Sequence, residues 1–284
     1  MASVPVAAFA SLGFGTAGIP LSTPQRSILT AMPYLSKLGL QGMELEFVHS
    51  ITLSKEKAKE VNTLIKNYKL SLTCHGQYYI NLNANDEEKA QASVARVLSA
   101  AKRAYEAGAY SVTFHPAYYL NQDKKTVYQT VKKRLQTIVQ SLKDENIPIW
   151  VSPETTGKET QFGSIQELVQ LAAEVDWVMP CIDFSHLHAR TNGKYNSYEE
   201  TAQVLELVET HLGKKALKRM HIHMSGIAYN QKGERNHLIL SESDLRYKEI
   251  LRACKEYAIA GMVICESPNI EEDAILLKKT YDAL

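Results

Sequence analysis

Long apolar runs are what the sequence most clearly lacks. No stretch of about 18 consecutive apolar residues occurs, so no membrane-spanning helix is expected. Residues 1–10 are apolar but contain no basic residue, which argues against a signal peptide. Cysteine is scarce as well. Cys74, Cys181, Cys254 and Cys265 form no Cys-x-x-Cys pair and no dense framework, so a reducing, cytoplasmic setting is expected rather than a disulfide scaffold. Charge of one sign is also missing: 32 Lys and Arg face 31 Asp and Glu, a net charge of +1. That balance argues against a protein that coats nucleic acid along one broad basic face, and leaves room for a local basic rim around a cleft.

One familiar motif lacks its context. Gly13-Phe-Gly-Thr-Ala-Gly18 matches Gly-x-Gly-x-x-Gly after an apolar run. Pro20 and Pro24 delay the helix that would aim its N-terminus at a pyrophosphate, and no acidic residue stands where a ribose needs one. The stretch reads as a tight loop bordering a site at the strand ends.

What is present is alternation, in a chain whose 45% hydrophobic and 22% charged residues suit a soluble globular protein. Apolar runs of strand length at 6–15, 42–48, 69–75, 111–115, 147–154, 181–183, 218–223 and 261–266 are each followed by an amphipathic stretch of helix length. Ile28, Leu29, Met32, Leu35 and Leu38 show the helical spacing in the first of these, and Gly39 stops it. Further helices are expected at 54–67, 86–107, 124–145, 164–175, 197–212, 243–257 and from 270 onward. Pro180 would break a central ladder, so the sixth strand is expected to begin at Cys181. Eight β-then-α units define an α/β protein of the (β/α)₈ barrel type, a single domain over residues 1–284, with an open doubly wound sheet as the alternative.

In such barrels the active site lies at the C-terminal face. His75 ends the third run, His115 the fourth, Glu154 the fifth and Asp183 the sixth. His221 and His223 end the seventh, and Glu266 ends the eighth; loops add His186, His188, Glu234 and His237. One strand-end histidine is ordinarily a packed or hydrogen-bonded residue. Six consecutive strand ends aiming such groups at one bowl point to metal. One catalytic ion needs about three protein ligands, so this surplus suggests about two or three ions with bridging carboxylates, Glu154 and Asp183 being suited to bridge. A histidine-rich set favours zinc or manganese over magnesium.

Other groups read less sharply. Cys74, Cys181 and Cys265 flank these ligands and are expected to face outward, toward the helices. His49 and His211 read as structural. Tyr78, Tyr79, Tyr118, Tyr119, Tyr195 and Tyr229, with Lys158, Arg190, Lys194, Lys232 and Arg235, fall in top-face loops and suit a groove for a sugar–phosphate backbone.

His75-Gly-Gln-Tyr-Tyr-Ile-Asn-Leu82, Phe114-His-Pro116, Pro153-Glu-Thr-Thr-Gly157, Ile182-Asp-Phe-Ser-His186, Met220-His221 and Glu266-Ser-Pro268 run in this order across nearly the whole chain. Together they resemble the endonuclease IV family of apurinic/apyrimidinic endonucleases, part of the xylose isomerase-like barrel superfamily. The resemblance implies a (β/α)₈ barrel with three zinc ions that cuts DNA 5′ to an abasic site and leaves a 3′-hydroxyl. Double-stranded DNA with abasic sites is the expected partner, manganese is the other metal the donor set admits, and a monomer is expected. The same resemblance implies His75, His115, Glu154, Asp183, His186, His221, His237 and Glu266 as ligands, and a metal-bound hydroxide as nucleophile, with Glu154 as bridge or base. Tyr78, Arg190 and Arg235 would border the DNA. Three positions depart from the family pattern: Gly76-Gln77 replaces Ala-Pro, Ala117 replaces Gly, and Arg235 stands where an Asp precedes the late histidine by two. Glu234, one residue further back, is the acid that a different loop path would bring in, and His188 and His223 are additional histidines. A metal-dependent sugar isomerase or epimerase on a related barrel is the alternative activity.

Overall fold

The strand set is as the alternation predicts. In a computed structural model, which describes Pro5 and residues 8–284, parallel strands occupy Leu12–Ala17, Gly42–Glu46, Ser71–His75, Ser111–Phe114, Trp150–Pro153, Cys181–Asp183, Met220–Met224 and Gly261–Cys265. These eight form one sheet in which sequence neighbours pair, and the first strand closes on the eighth. The fifth and sixth meet only through the bridges Val151–Val178 and Glu154–Cys181. Pro180, which has no amide hydrogen, falls in this gap and explains the thin ladder. Thr155 clasps the joint from above: its hydroxyl donates to Asp183 O (3.1 Å) and accepts from Asp183 N (2.8 Å).

Six of the long helices start where the sequence supplies a cap, whereas Tyr247–Glu256 and Glu271–Ala283 begin without one. Side chains of Ser27, Ser54, Asp86, Asp123, Ser164 and Ser197 each accept a hydrogen bond from an amide of the first turn. These caps fix the phase at which each apolar face meets the strands. Along the strands, alternation sends Val, Ile and Leu outward to the helices and polar groups into the lumen. Ser111 Oγ meets Ser152 Oγ at 2.7 Å across neighbouring strands, and Thr113 Oγ1 donates to Glu154 Oε2 at 3.3 Å. The lumen is therefore largely polar up to the strand tips, with Met262 and Ile264 of the eighth strand filling the space left by Gly13, Gly15 and Gly42.

Two expectations change. The first strand begins at Leu12 and runs past Gly15, whereas residues 6 and 7 of the expected run lie outside the described residues. Gly13 and Gly15 are thus strand residues and not part of a loop, and both admit a close neighbour. A Cβ on Gly15 would lie 2.5 Å from Gly42 O, and one on Gly13 would lie 2.7 Å from Met262 Sδ. Only Gly18, at φ +80°, makes the turn. The loops also carry structure of their own, a two-residue pairing of Ala117–Tyr118 with Gln161–Phe162 and a hairpin of Gly226–Asn230 with Gly233–Leu238. Among the described residues, no helix is long and apolar enough to cross a membrane.

The strand spacing is tight at Gly42, whose Cβ would sit 2.2 Å from Ser71 O. Gly42→Ala should lower stability by about 1–3 kcal/mol, since backbone must move to admit the methyl group. A urea midpoint equal to wild type would refute that close approach.

Candidate metal centre

The strand tips bring nine ligand-type residues together in three sets: His75, His115 and Glu154; Glu154, Asp183, His223 and Glu266; and His186, Glu234 and His237. Within each set the ligand atoms lie within 4.8 Å of one another. Glu154 belongs to two sets and touches the third. Its oxygens lie 3.4 Å from His75 Nε2, 3.4 Å from His115 Nε2, 3.5 Å from His223 Nδ1 and 3.0 Å from His186 Nδ1.

The imidazoles are held from behind. His75 Nδ1 lies 2.7 Å from Gly76 O and His186 Nδ1 3.0 Å from Thr155 O. A carbonyl can only accept, so each Nδ1 carries the proton and each Nε2 presents a lone pair to the cluster. His237 is anchored through Nδ1 to Ser225 Oγ at 2.7 Å. Asp183 caps its own short helix, Phe184–Arg190, accepting from His186 N at 2.8 Å, which fixes the spacing between these two ligands.

This donor set fits divalent ions. Glu154 Oε1, Asp183 Oδ2, His186 Nε2, His223 Nδ1 and Glu266 Oε2 are buried and make no hydrogen bond. Such groups are costly to bury unless something satisfies them, and ions at the centres of the three sets would do so. The titration behaviour agrees. Burial opposes the His75 cation, yet the carboxylates of Glu154, Glu46 and Glu44 outweigh it and hold the imidazole at about 10. His186 and His223 are likewise raised well above the ordinary histidine range against burial, His186 by Asp183, Glu154 and Glu234, and His223 by Cys181 followed by Glu266, Glu44 and Glu154. Glu266 is driven upward by burial, with Glu154 and Asp183 adding to it against His223.

The third set owes its geometry to a β-bulge. In the hairpin, Ala228 pairs with Asn236 and Tyr229 with Glu234, so Arg235 is the extra residue. The bulge reverses alternation by one step, which puts Glu234 on the same side as His237. Glu234 Oε2 then stands 3.6 Å from His186 Nε2, and Arg235 points to solvent. Gly157 makes room, because a Cβ there would lie 2.6 Å from Glu234 Oε2 and 3.1 Å from His186 Cδ2.

Other residues fall elsewhere than the sequence suggested. His223, and not His221, joins the strand-tip sets, while His221 sits one step deeper against Glu44. His188 lies apart, bridging Lys194 O (2.8 Å) and Asp244 Oδ1 (3.0 Å). Arg190 is buried, and its Nη1 donates to Thr156, Lys158 and Gln161, so its head is engaged by the loop and not free for phosphate. Tyr119 is buried with its hydroxyl on Glu167. Tyr78, Tyr79 and Tyr118 are exposed, and Tyr78 meets His75 edge-on at 5.7 Å. Cys181 faces inward, within 4.8 Å of His221 and His223. It is two residues from Asp183, so strand parity places both on one face. Glu44 and Glu46 went unnoticed in the sequence, although Gly42-Met-Glu-Leu-Glu46 shows acids at alternate, inward positions of a strand.

Fold and site together define a (β/α)₈ barrel with candidate metal-binding clusters at its C-terminal strand tips. The chain belongs to the xylose isomerase-like TIM barrel family, whose sequence signature matches residues 32–280. It is 44% identical over 271 residues to an uncharacterized protein of Methanocaldococcus jannaschii, covering 95% of this chain and 97% of that one. It is 23% identical over 219 residues to a probable endonuclease 4 of Mycoplasma pneumoniae, covering 74% and 73%. Among solved structures it resembles a D-tagatose 3-epimerase-like protein (TM-score 0.73, 18% identity, 95% and 96% covered). It also resembles endonuclease IV from Thermus thermophilus (TM-score 0.71, 19% identity, 96% and 98% covered).

Two outcomes check this centre. Gly157→Ala should displace Glu234, so metal analysis should show about one ion fewer per chain with the others kept; unchanged content would show that Glu234 is not a ligand. The pH dependence has a definite sign. His75, His186 and His223 hold protons well above the usual histidine range, and a proton must leave before the nitrogen binds metal. Apparent affinity, followed by chelator competition, should therefore rise from about pH 6 to about pH 9, by up to about tenfold per pH unit for each proton displaced.

Proposed function

We propose that the protein is a metal-dependent phosphodiesterase that incises double-stranded DNA 5′ to an abasic site and leaves a 3′-hydroxyl. The observation that carries this reading is the third ligand set. Four donors around Glu154, Asp183, His223 and Glu266 suffice for a single ion. His75 and His115 on one side and His186, Glu234 and His237 on the other exceed what one ion uses. Clusters of this size suit an in-line displacement at phosphorus, where entering and leaving oxygens both need charge stabilisation. The similarity to a probable endonuclease 4 supports the same choice.

Bound divalent ions would supply Lewis acidity and water of lowered pKa. The chain's own residues do the rest. Glu154, ionised because opposed imidazoles overcome its burial, ties the sets together and accepts from Thr113 Oγ1. His75 and His186 keep their Nε2 atoms inward because backbone carbonyls hold Nδ1. Tyr78, Tyr79 and Tyr118 offer exposed ring faces at the mouth, suited to stacking against a base or an extrahelical sugar. Arg235, ejected by the bulge, and the exposed Lys194 and Lys232 supply cations for the backbone.

A sugar epimerase is the second reading, favoured by the self-sufficient four-donor set around Glu154 and by the likeness to an epimerase-like fold. A duplex with one abasic analogue separates the two. Metal-dependent incision on the 5′ side is expected, and Glu154→Gln should reduce it by at least about a hundredfold while the thermal melt stays cooperative. No incision with zinc, manganese, cobalt or magnesium, together with one ion per chain and ketose epimerisation, would establish the alternative.

A further inference from the structure

Glu44, Cys181 and His221 lie one layer below the strand tips and take no part in the three ligand sets. They come from opposite walls, because strand two faces strand six across the barrel. Glu44 Oε2 is 2.9 Å from His221 Nε2, and Glu44 Oε1 is 2.9 Å from His223 Nε2. The two imidazole nitrogens are 3.2 Å apart and directed at each other. Cys181, paired with His221 on the adjoining strand, brings its sulfur within 4.8 Å of a ring nitrogen of each histidine. Exposure is 0% for Glu44, Cys181 and His223 and 1% for His221, so water does not solvate the group.

Hydrogen bonds alone leave this group unfinished. The ring-to-ring contact turns the two Nε2 atoms toward each other, so each Glu44 oxygen meets its imidazole as a close ion-pair contact at 2.9 Å outside good hydrogen-bond geometry. Imidazole charge beside the buried carboxylate keeps it ionised against burial, and a metal ion at the common centre of these atoms would supply that charge in place of the ring protons. The spacing suits one: tetrahedral bonds of about 2.0 Å to nitrogen and oxygen place neighbouring ligand atoms about 3.3 Å apart. Ser111 Oγ lies 3.0 Å from His221 Nδ1 and 2.7 Å from Ser152 Oγ, a chain that keeps His221 Nε2 turned inward as outer groups orient ligating imidazoles.

We propose that Glu44, Cys181, His221 and His223 bind one additional divalent ion of the zinc class inside the barrel, with His223 bridging it to the metal centre through its two ring nitrogens. Thiolate beside imidazole selects zinc or cobalt over magnesium and manganese. His223 Nδ1 faces Glu154 and Glu266 at 3.5 and 3.3 Å while Nε2 faces Glu44. On loading, the Cys181 thiol and the remaining His223 N–H each release a proton to solvent. Four protein donors leave no open position, so this ion organises the centre above it and does not itself meet substrate. The proposal depends on the strand-tip centre only through His223.

The test is anaerobic loading of the full chain with cobalt(II), followed by gel filtration, metal analysis and a near-ultraviolet spectrum. Wild type should show a sulfur-to-cobalt charge-transfer band that Cys181→Ser removes, and His221→Gln should carry about one ion fewer than wild type. A wild type without the band, or a band that survives in Cys181→Ser, overturns the proposal, as does equal metal content in wild type and His221→Gln. Should His221→Gln fail to fold, the nearly isosteric Cys181→Ser comparison still decides. Loss of the strand-tip ions would lower the total count yet leave the band, so failure of that reading is told apart from failure of this one.

Discussion

A carboxylate buried at the axis of a barrel must be matched by positive charge, and Glu154 imposes that condition here. Four imidazoles converge on its two oxygens from four different strands or loops. Three of those rings are aimed by identifiable partners: His75 and His186 by backbone carbonyls, and His223 by a second carboxylate, Glu44. The fold follows from this as much as from its apolar shell. A lumen filled with valine would pack, but it could not hold this many donors at one level. The apolar contribution is displaced outward, between strands and helices, where Leu72, Val112, Val151 and Ile182 are fully buried.

The loops complete what the strands begin. Strand tips alone supply the two sets that share Glu154; the third depends on the helix cap at Asp183 and on the hairpin that follows strand seven. Gly157 couples them, because its carbonyl accepts from Glu234 N at 2.9 Å while its missing side chain leaves space for the Glu234 carboxylate. The loop after strand five is held in turn by Arg190 from beneath. A cation that the sequence offers as a phosphate contact thus acts as a strut, fixing the loop against which the third set is assembled.

Most of the fold was legible in the sequence because it rests on periodicity and caps, both of which are local. Seven of the eight expected strands overlap the observed ones with only end residues changed, and Pro180 marks the weak joint in advance. The first strand was less clear, since glycines that serve close strand approach resemble glycines that serve a turn. Most candidate ligands were legible as strand-end residues. What was lost depended on parity over short distances. Cys181 was turned the wrong way by a miscounted offset, and His221, expected among the strand-tip ligands with His223 as an additional histidine, lies one step deeper. Glu44 was missed because a single acid inside an apolar run gives no signal until its partners on the far wall are known. Arg190 and Tyr119 show the converse limit: membership of a loop does not reveal whether a side chain faces solvent or the loop's own underside.

The bulge at Arg235 has a bearing on how such proteins are compared. A ribbon with one extra residue on one edge keeps its chemistry while changing its count, so a column-by-column match reads Arg against Asp and scores a lost ligand. The carboxylate is nevertheless in place, one column away. What descent preserves in a ribbon of this kind is the side a residue faces, and a pattern that tolerates a one-residue slip upstream of His237 will recover relatives that a fixed spacing rejects.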